Sequence, residues 1–515
     1  MIFLHALYAR RLVRAVALVV LSAVSACSGE SPTSAVPVTP PPPLTVPAIN
    51  REFRGLWVAT VGNIDWPSSS GLGVSAQQAE LITILNLAQT TGLNAIVLQV
   101  RAAGDALYQS SLEPWARSLT GTQGMDPAWD PLTFAVREAH ARGLELHAWF
   151  NPFRAANLSD TLRLAPLHLA QRRPDLTRRY CTQLWFDPAE DAVQNQAIAV
   201  IRDVVARYGV DAVHIDDFFY PYPDTRCPNL DFPDSATFRR YQTGGGILGR
   251  ADWRRANVNR FVERMYTEVH QQRSSVRVGI SPFGIWRPGN PAGIVGLDAF
   301  GSIYADSRLW LQQGWVDYFA PQLYWSIAST GQSFPALLTW WEQQNTRQRH
   351  LWPGLAAYRV ADGTASAYNA TEIAQQIDRS RQRTGSIGTL LYNTTSVRLD
   401  RGGLGTLLRT STNTIPALPP ATSWLDGTLP VAPGIAVTVT ASALQLQITD
   451  AGSKPLSWWL VRWRSGGTWF QRVVPFTDRR VDVPPRTLTA DTDAIVVNAI
   501  DLVGNASPDA IWRKP

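Results

Sequence analysis

Strand-length apolar runs alternate with helical patterning along most of this chain, and that alternation restricts the fold more than any other feature. The apolar runs fall at 55–60, 94–100, 144–150, 209–217, 277–281, 318–324, 351–357 and 387–393. Helical periodicity occupies 76–90, 131–141, 191–208, 252–272, 334–345 and 372–383. A helix between consecutive strands brings the chain back to start the next strand in the same direction, so the sheet must be parallel. Eight such units over roughly 350 residues predict an α/β fold, a (β/α)8 TIM barrel at 51–410. Chemistry is then expected at the carboxyl ends of the strands, where this fold builds its sites from the following loops.

A change of composition follows. Residues 411–433 are rich in Pro, Thr and Ser and read as a linker. Beyond them, 434–515 carry short alternating runs at 436–440, 444–448, 458–463 and 494–500, the pattern of a small all-β sandwich. The segment 499–505 resembles the last strand and turn of fibronectin type III modules. A spacer role is expected for it, with glycan binding as the alternative.

At the other end, Arg10, Arg11 and Arg14 precede an apolar run at 15–24 that is too short to span a bilayer, and Val24-Ser-Ala-Cys27 resembles the lipobox of bacterial lipoproteins. This predicts a signal peptide at 1–27, lipidation of Cys27, and a Pro/Ser/Thr-rich tether at 28–50, with an ordinary secretory signal cleaved near Ala26 as the alternative that also exports the chain. The protein is therefore expected to be lipid-anchored in the cell envelope on the periplasmic side. Ser28, with no Asp after Cys27, points by the same resemblance to the outer membrane. Cys181 and Cys227 are left, and in an oxidising compartment they either pair or stay free. No HExxH, CxxC, GxGxxG or GxxxxGK[ST] pattern occurs, so neither a metal nor a cofactor is expected. The net charge of +6 is spread without a long basic run, and export removes nucleic acid as a partner; an acidic glycan or an anionic membrane surface fits the mild positive field. Oligomeric state is left open.

Side chains alternate faces along a strand. That rule puts Gln99 with Arg101, His147 with Trp149 and Asn151, His214 with Asp216, and Gln322 with Tyr324, all aimed at one lumen, with Ser281 ending its own run. A buried charge without a partner costs several kcal/mol or more, so polar residues on an inner face suggest a site. Glycosidic cleavage needs two carboxyl groups, separated by about 5–5.5 Å for retention or about 6.5–9.5 Å for inversion. Asp216 and Asp217 are the leading candidates, one acting directly and the other bracing, because neighbours on a strand point apart. Asp105, on the loop after the second strand, is the preferred partner, with Glu113 and Asp65 as fallbacks. A purely structural Asp216 would pair with Arg101 or His147, and His214 is expected to support the site from beneath. The chain has 20 Trp and 14 Tyr. Tyr220, Trp286, Tyr324 and Trp325 are expected to stack on sugar rings, and Arg101, Asn151, Arg154, Arg287 and Gln322 to bind polar substituents, with His147 and His214 nearby.

Several long motifs occur in order. They are Arg51-Glu-Phe-Arg-Gly-Leu-Trp-Val-Ala-Thr60 with Asn63-Ile-Asp-Trp-Pro67, Gln99-Val-Arg101 with Gly104-Asp-Ala106, and Leu144-Glu-Leu-His-Ala-Trp149 with Asn151-Pro152. His214-Ile-Asp-Asp217 with Tyr220-Pro-Tyr-Pro223 and Ser281-Pro-Phe-Gly-Ile-Trp-Arg287 follow. Together they resemble the glycoside-hydrolase-like lipoproteins of bacteria, from about Arg51 to Asn393. One type in that family cleaves peptidoglycan glycan strands stripped of stem peptides around cell division, so the resemblance implies a membrane-tethered glycosidase with a polysaccharide substrate. The family usually has Arg-Pro before Gly-Asp-Ala, and Tyr where this chain has Phe153 and Phe218. The fourth strand also loosely resembles the acidic strand of chitinase-like barrels, with Asp211 and Asp216 in register and Phe218 where the acid would stand; a substrate-assisted route would need Asp217 or another loop to supply it. The alternatives are a catalytically silent glycan-binding scaffold and an exported glycosidase of another polysaccharide.

Overall fold

The computed structural model describes residues 44–384, 387–439, 444–483 and 492–514. The expected signal peptide, the lipidation site at Cys27 and the tether as far as residue 43 lie outside the described residues. Residues 48–515 form one compact unit.

A parallel sheet curls through its centre. In spatial order its strands are His350–Leu351, Tyr318–Phe319, Arg277–Ile280, Ala212–Ile215, Glu145–Phe150, Ala95–Arg101, Phe53–Val58, Gly388–Leu391 and Gly354–Leu355. The first and last of these belong to one run of backbone, separated only by Trp352 and Pro353. Proline has no N–H to give to a ladder and so interrupts the strand. The run still touches both neighbours: Trp352 N donates to Phe319 O at 2.9 Å, and Leu390 N donates to Pro353 O at 3.1 Å. The architecture is TIM-barrel-like.

Both faces of the sheet are covered, which is why the strands Phe53–Val58, Ala95–Arg101 and Glu145–Phe150 are buried at every position. Outside lie the helices Val74–Thr90, Pro131–His140, Asp191–Arg207, Arg250–Gln272, Phe334–Gln344 and Ala370–Arg381, each within two residues of its expected limits. Their ends follow capping rules; Asp130, for example, accepts from Thr133 N while Pro131 occupies the first helical turn. The lumen is filled by rings, including Phe53, Trp57, Tyr318 and Trp352. Gly279 makes room for one of them, since a Cβ there would lie 1.9 Å from the Tyr318 ring.

Two insertions were not expected. A three-stranded antiparallel sheet of Arg154–Asn157, Gln183–Phe186 and Thr177–Tyr180 follows the third barrel strand, and a helix at Ser235–Thr243 follows the fourth. The four-residue strands are short and in part polar, which gives no clear period. Cys181 turns that hairpin and forms a disulfide with Cys227 on the loop after the fourth barrel strand, with Cα atoms 5.8 Å apart.

The C-terminal strands form two antiparallel sheets. Gly434–Val439, Leu444–Thr449 and Arg480–Val483 make one; Leu456–Ser465, Thr468–Pro475, Thr492–Asp501 and Ala510–Arg513 make the other. They share an apolar core that includes Leu446, Trp459, Val461 and Val497. The segment before them is held against the barrel: Trp424 Nε1 donates to Asp317 at 2.8 Å, and Leu418 pairs with Arg51 just ahead of the first barrel strand.

Candidate active site

A cavity of about 490 Å³ opens at the carboxyl ends of the barrel strands, lined by Trp57, Gln99, Trp149, Arg154, Asp216, Asp217, Phe218, Tyr222, Ser281, Phe283, Gln322, Tyr324 and Tyr392, with Val61 and Ile64 at its edge. Among the described residues, Asp216 and Asp217 are the only carboxylates in this lining. Alternation along a strand was expected to turn them apart. The fourth strand stops at Ile215, however, so both belong to the loop and both reach the cavity.

Each carboxylate has its own supports. Asn151 Nδ2 donates to both oxygens of Asp216 at 2.7 Å. The orientation of that amide is dictated from behind: Thr60 N and Val61 N donate to Gln99 Oε1 at 3.0 and 2.8 Å, and Gln99 Nε2 then donates to Asn151 Oδ1 at 2.5 Å. Asn151 therefore has only its NH2 left to present to Asp216. Tyr222 Oη donates to Asp217, and the Gln322 amide, also held by the Ser281 carbonyl at 2.9 Å, supports the same carboxylate. The Arg154 guanidinium lies 4.0 Å over the Phe218 ring and provides positive charge to both acids.

These surroundings set the protonation. Burial, followed by the charge of Asp217, pushes the Asp216 carboxyl up to about 7, against the pull of Arg154 and Asn151. Burial also raises Asp217, while Tyr222 and Gln322 oppose the rise. Two acids this close release their protons as a pair, and near neutral pH one can hold a proton while the other is ionised.

Beneath the cavity runs a chain of hydrogen bonds whose direction is fixed at its ends. Trp57 Nε1 can only donate, and it does so to His214 Nε2 at 3.2 Å, where Ser281 Oγ also donates at 2.9 Å. His214 must then carry its proton on Nδ1, which donates to Tyr318 Oη at 2.9 Å. Tyr318 donates in turn to His147 Nδ1 at 2.9 Å, and His147 Nε2 donates to Glu145 at 3.0 Å. At the bottom Arg277 grips Glu145 with two bonds of 2.6 and 2.7 Å. Burial opposes ionisation of Glu145, but Arg277 and His147 outweigh it and hold the carboxyl at about 2. Burial, helped by His147, drives His214 well below its ordinary value, as the neutral tautomer requires. With Nε2 accepting and Nδ1–H donating, neither ring nitrogen is free, and His214 acts as a brace.

Of the residues expected at the site, Asp216, Asp217, Arg154, Gln322 and Tyr324 line the cavity. Asp105 does not. Its carboxylate accepts from Ala103 N and Gln123 Nε2, and the preceding Gly104 has φ +67 and packs against His168, so the Gly-Asp motif shapes a loop. The structure brings Asp217, and not Asp105, into the cavity with Asp216. Glu113 is taken by Arg101 through two bonds of 2.8 and 2.5 Å, and Asp65 accepts from Ala59 N and Thr395. Arg101, expected to touch substrate or Asp216, is buried and holds Glu113 and the Asn151 carbonyl. His147, Asn151 and His214 likewise lie buried under the lining. Trp286 packs on Phe300 and donates to Asp306, Arg287 lies over Phe300, Trp325 borders a separate groove, and Tyr220 borders a second cavity. Trp57 and Tyr392 were not among the expected binding residues. Tyr392 closes the run at 387–393, so the rule applied to the other strand ends would have found it.

A model of the family described as Glycosyl hydrolase-like 10 matches residues 52–370. Glycosyl hydrolase YngK of Bacillus subtilis (strain 168) is 38% identical over 410 residues, which cover 78% of this chain and 80% of the relative. Glycosyl hydrolase DigH of Escherichia coli (strain K12) is 33% identical over 412 residues, covering 74% of this chain and 92% of the relative. Among solved structures, the catalytic domain of a β-amylase from Paenibacillus polymyxa shares the fold with a TM-score of 0.50 at 11% identity, covering 72% of this chain and 100% of that one.

Proposed function

Since the chain belongs to the Glycosyl hydrolase-like 10 family, we propose that it is a glycoside hydrolase of cell-wall glycan, cutting peptidoglycan strands that lack stem peptides from a position tethered to the envelope by a lipid on Cys27. The observation that carries the reading is the adjacent pair Asp216 and Asp217 in an aromatic-lined cavity, one of them pushed to about 7. A carboxyl of that kind is protonated near neutral pH and can deliver its proton to the leaving glycosidic oxygen. Asp217, held by Tyr222 and Gln322 beside Arg154, supplies negative charge where the sugar ring becomes cationic. Tyr324 and Tyr392, half-buried in the lining, offer flat surfaces for pyranose rings, and Arg154 is the cation available to a sugar-borne carboxylate. The C-terminal strands act in this reading as a fibronectin type III-like spacer module at 434–515, joined by 411–433 to the catalytic (β/α)8 barrel at 51–410.

The test is release of soluble saccharides from sacculi first treated with an amidase, alongside a panel of other polysaccharides. Wild type should release sugar from the treated sacculi and Asp216→Asn should not. Binding without release would move the protein to the scaffold reading, and release from a different polysaccharide would move its substrate.

A further inference from the structure

A second cavity, about 460 Å³, lies beside the catalytic one. The loop after the fourth barrel strand is the wall between them: Tyr222 faces the two acids, while Tyr220, Pro221 and Pro223 line the other side. The opposite wall comes from the loop after the fifth strand, through Tyr304, so both cavities belong to the same mouth. The Cys181–Cys227 disulfide ties the rim of the second cavity to the neighbouring hairpin.

Its lining is aromatic and internally neutralised. Tyr220 and Tyr304 meet edge to face at 5.0 Å, and Arg254 lies 4.8 Å over the Tyr304 ring. Arg254 Nη1 donates to Asp231 at 2.8 Å and to Tyr304 Oη at 2.5 Å, so the phenol oxygen is an acceptor there and its own proton is left to point at a ligand. Asp224 is paired with Arg226 in the same way. Tyr304 itself sits at φ +56, a left-handed conformation that is uncommon for an aromatic residue and is kept where the surroundings insist on it. Flat rings with fixed donors and acceptors suit a pyranose, and acids already matched by guanidinium groups leave no free charge to attract an anionic one.

We propose that this cavity is a binding subsite for a distal, uncharged pyranose unit of the same glycan whose scissile bond lies at Asp216 and Asp217. It rests on the glycosidase reading for the identity of the chain, and it adds where a longer chain is held. A glycan that fills both cavities gains the second contact intramolecularly, so its affinity exceeds that of a short one.

The experiment uses the full chain carrying Asp216→Asn, titrated calorimetrically with β-1,4-linked N-acetylglucosamine oligomers from di- to octasaccharide. Affinity should rise with length by about tenfold. Tyr304→Ala should remove that gain, and Tyr304→Phe, which keeps the ring and loses the proton, should remove part of it. Should Tyr304→Ala fail to fold, Leu230→Trp on the exposed rim blocks the same opening. Affinity that does not grow with length, or a gain that survives these variants, overturns the proposal. Failure of the glycosidase reading looks different: wild type then leaves the octasaccharide uncut while the length-dependent binding still disappears with Tyr304→Ala.

Discussion

Replacing Asp216 by Asn should make the protein more stable at alkaline pH, although it removes the proposed catalytic acid. The sign follows from proton binding. The native carboxyl titrates at about 7, against an ordinary 3.8 for an unfolded chain. Between those values the native state holds a proton that the unfolded state has released, so stability falls as pH rises through that window and levels off above it. The whole gap corresponds to roughly 4 kcal/mol at ~1.36 kcal/mol per pH unit, an upper bound because the two acids titrate together. Asparagine keeps an acceptor for Asn151 and never ionises. Relative to wild type, Asp216→Asn should therefore gain about 2–3 kcal/mol between about pH 5 and about pH 8. For a chain of this size that is on the order of a few degrees in melting temperature. Thermal unfolding of both proteins across the pH series is the assay. A difference between them that stays constant with pH, or a variant less stable than wild type at about pH 8, would refute a buried carboxylate that is costly to ionise.

Three further outcomes are expected. Asp217→Asn takes away the charge that helps raise Asp216, so the alkaline limb of the pH–rate profile should move to lower pH while kcat falls by about 10²-fold or more; an unmoved limb would uncouple the pair. Tyr318→Phe leaves His214 Nδ1–H and His147 Nδ1 facing no partner inside the lumen, which should cost about 2–4 kcal/mol in denaturant unfolding; a loss below about 0.5 kcal/mol would mean that the buried chain is not directional as described. Cys227→Ser opens a closure spanning 46 residues and should destabilise by up to about 4 kcal/mol, measured against wild type under non-reducing conditions, with no change counting against the crosslink.

The strands and outer helices were legible because each obeys a single period; the helix limits differ little from the expected ones, while the runs at 318–324 and 351–357 hold only two-residue strands. Asp216, Gln322 and Tyr324 could be found because strand parity aims such residues at the lumen or its rim. Parity misleads at strand ends. Asp216 and Asp217 were expected to point apart because the strand was carried past its end, and the backbone leaves the pleat at Ile215. Arg101 and Asp105 misled for another reason: their partners, Glu113 and Gln123, come from loops whose path no local pattern encodes. Trp286 and Trp325 stand close to strand ends yet turn outward, a matter of side-chain direction in loops that lack a period.

Residues 50–52 join the barrel at the amino ends of its strands, where Glu52 N donates to Leu418 O and Arg54 and Arg381 clasp the Glu52 carboxylate. In the proposed tethered form the chain would therefore reach the barrel at the pole opposite the cavity, and the mouth would stay clear of the segment that leads to it.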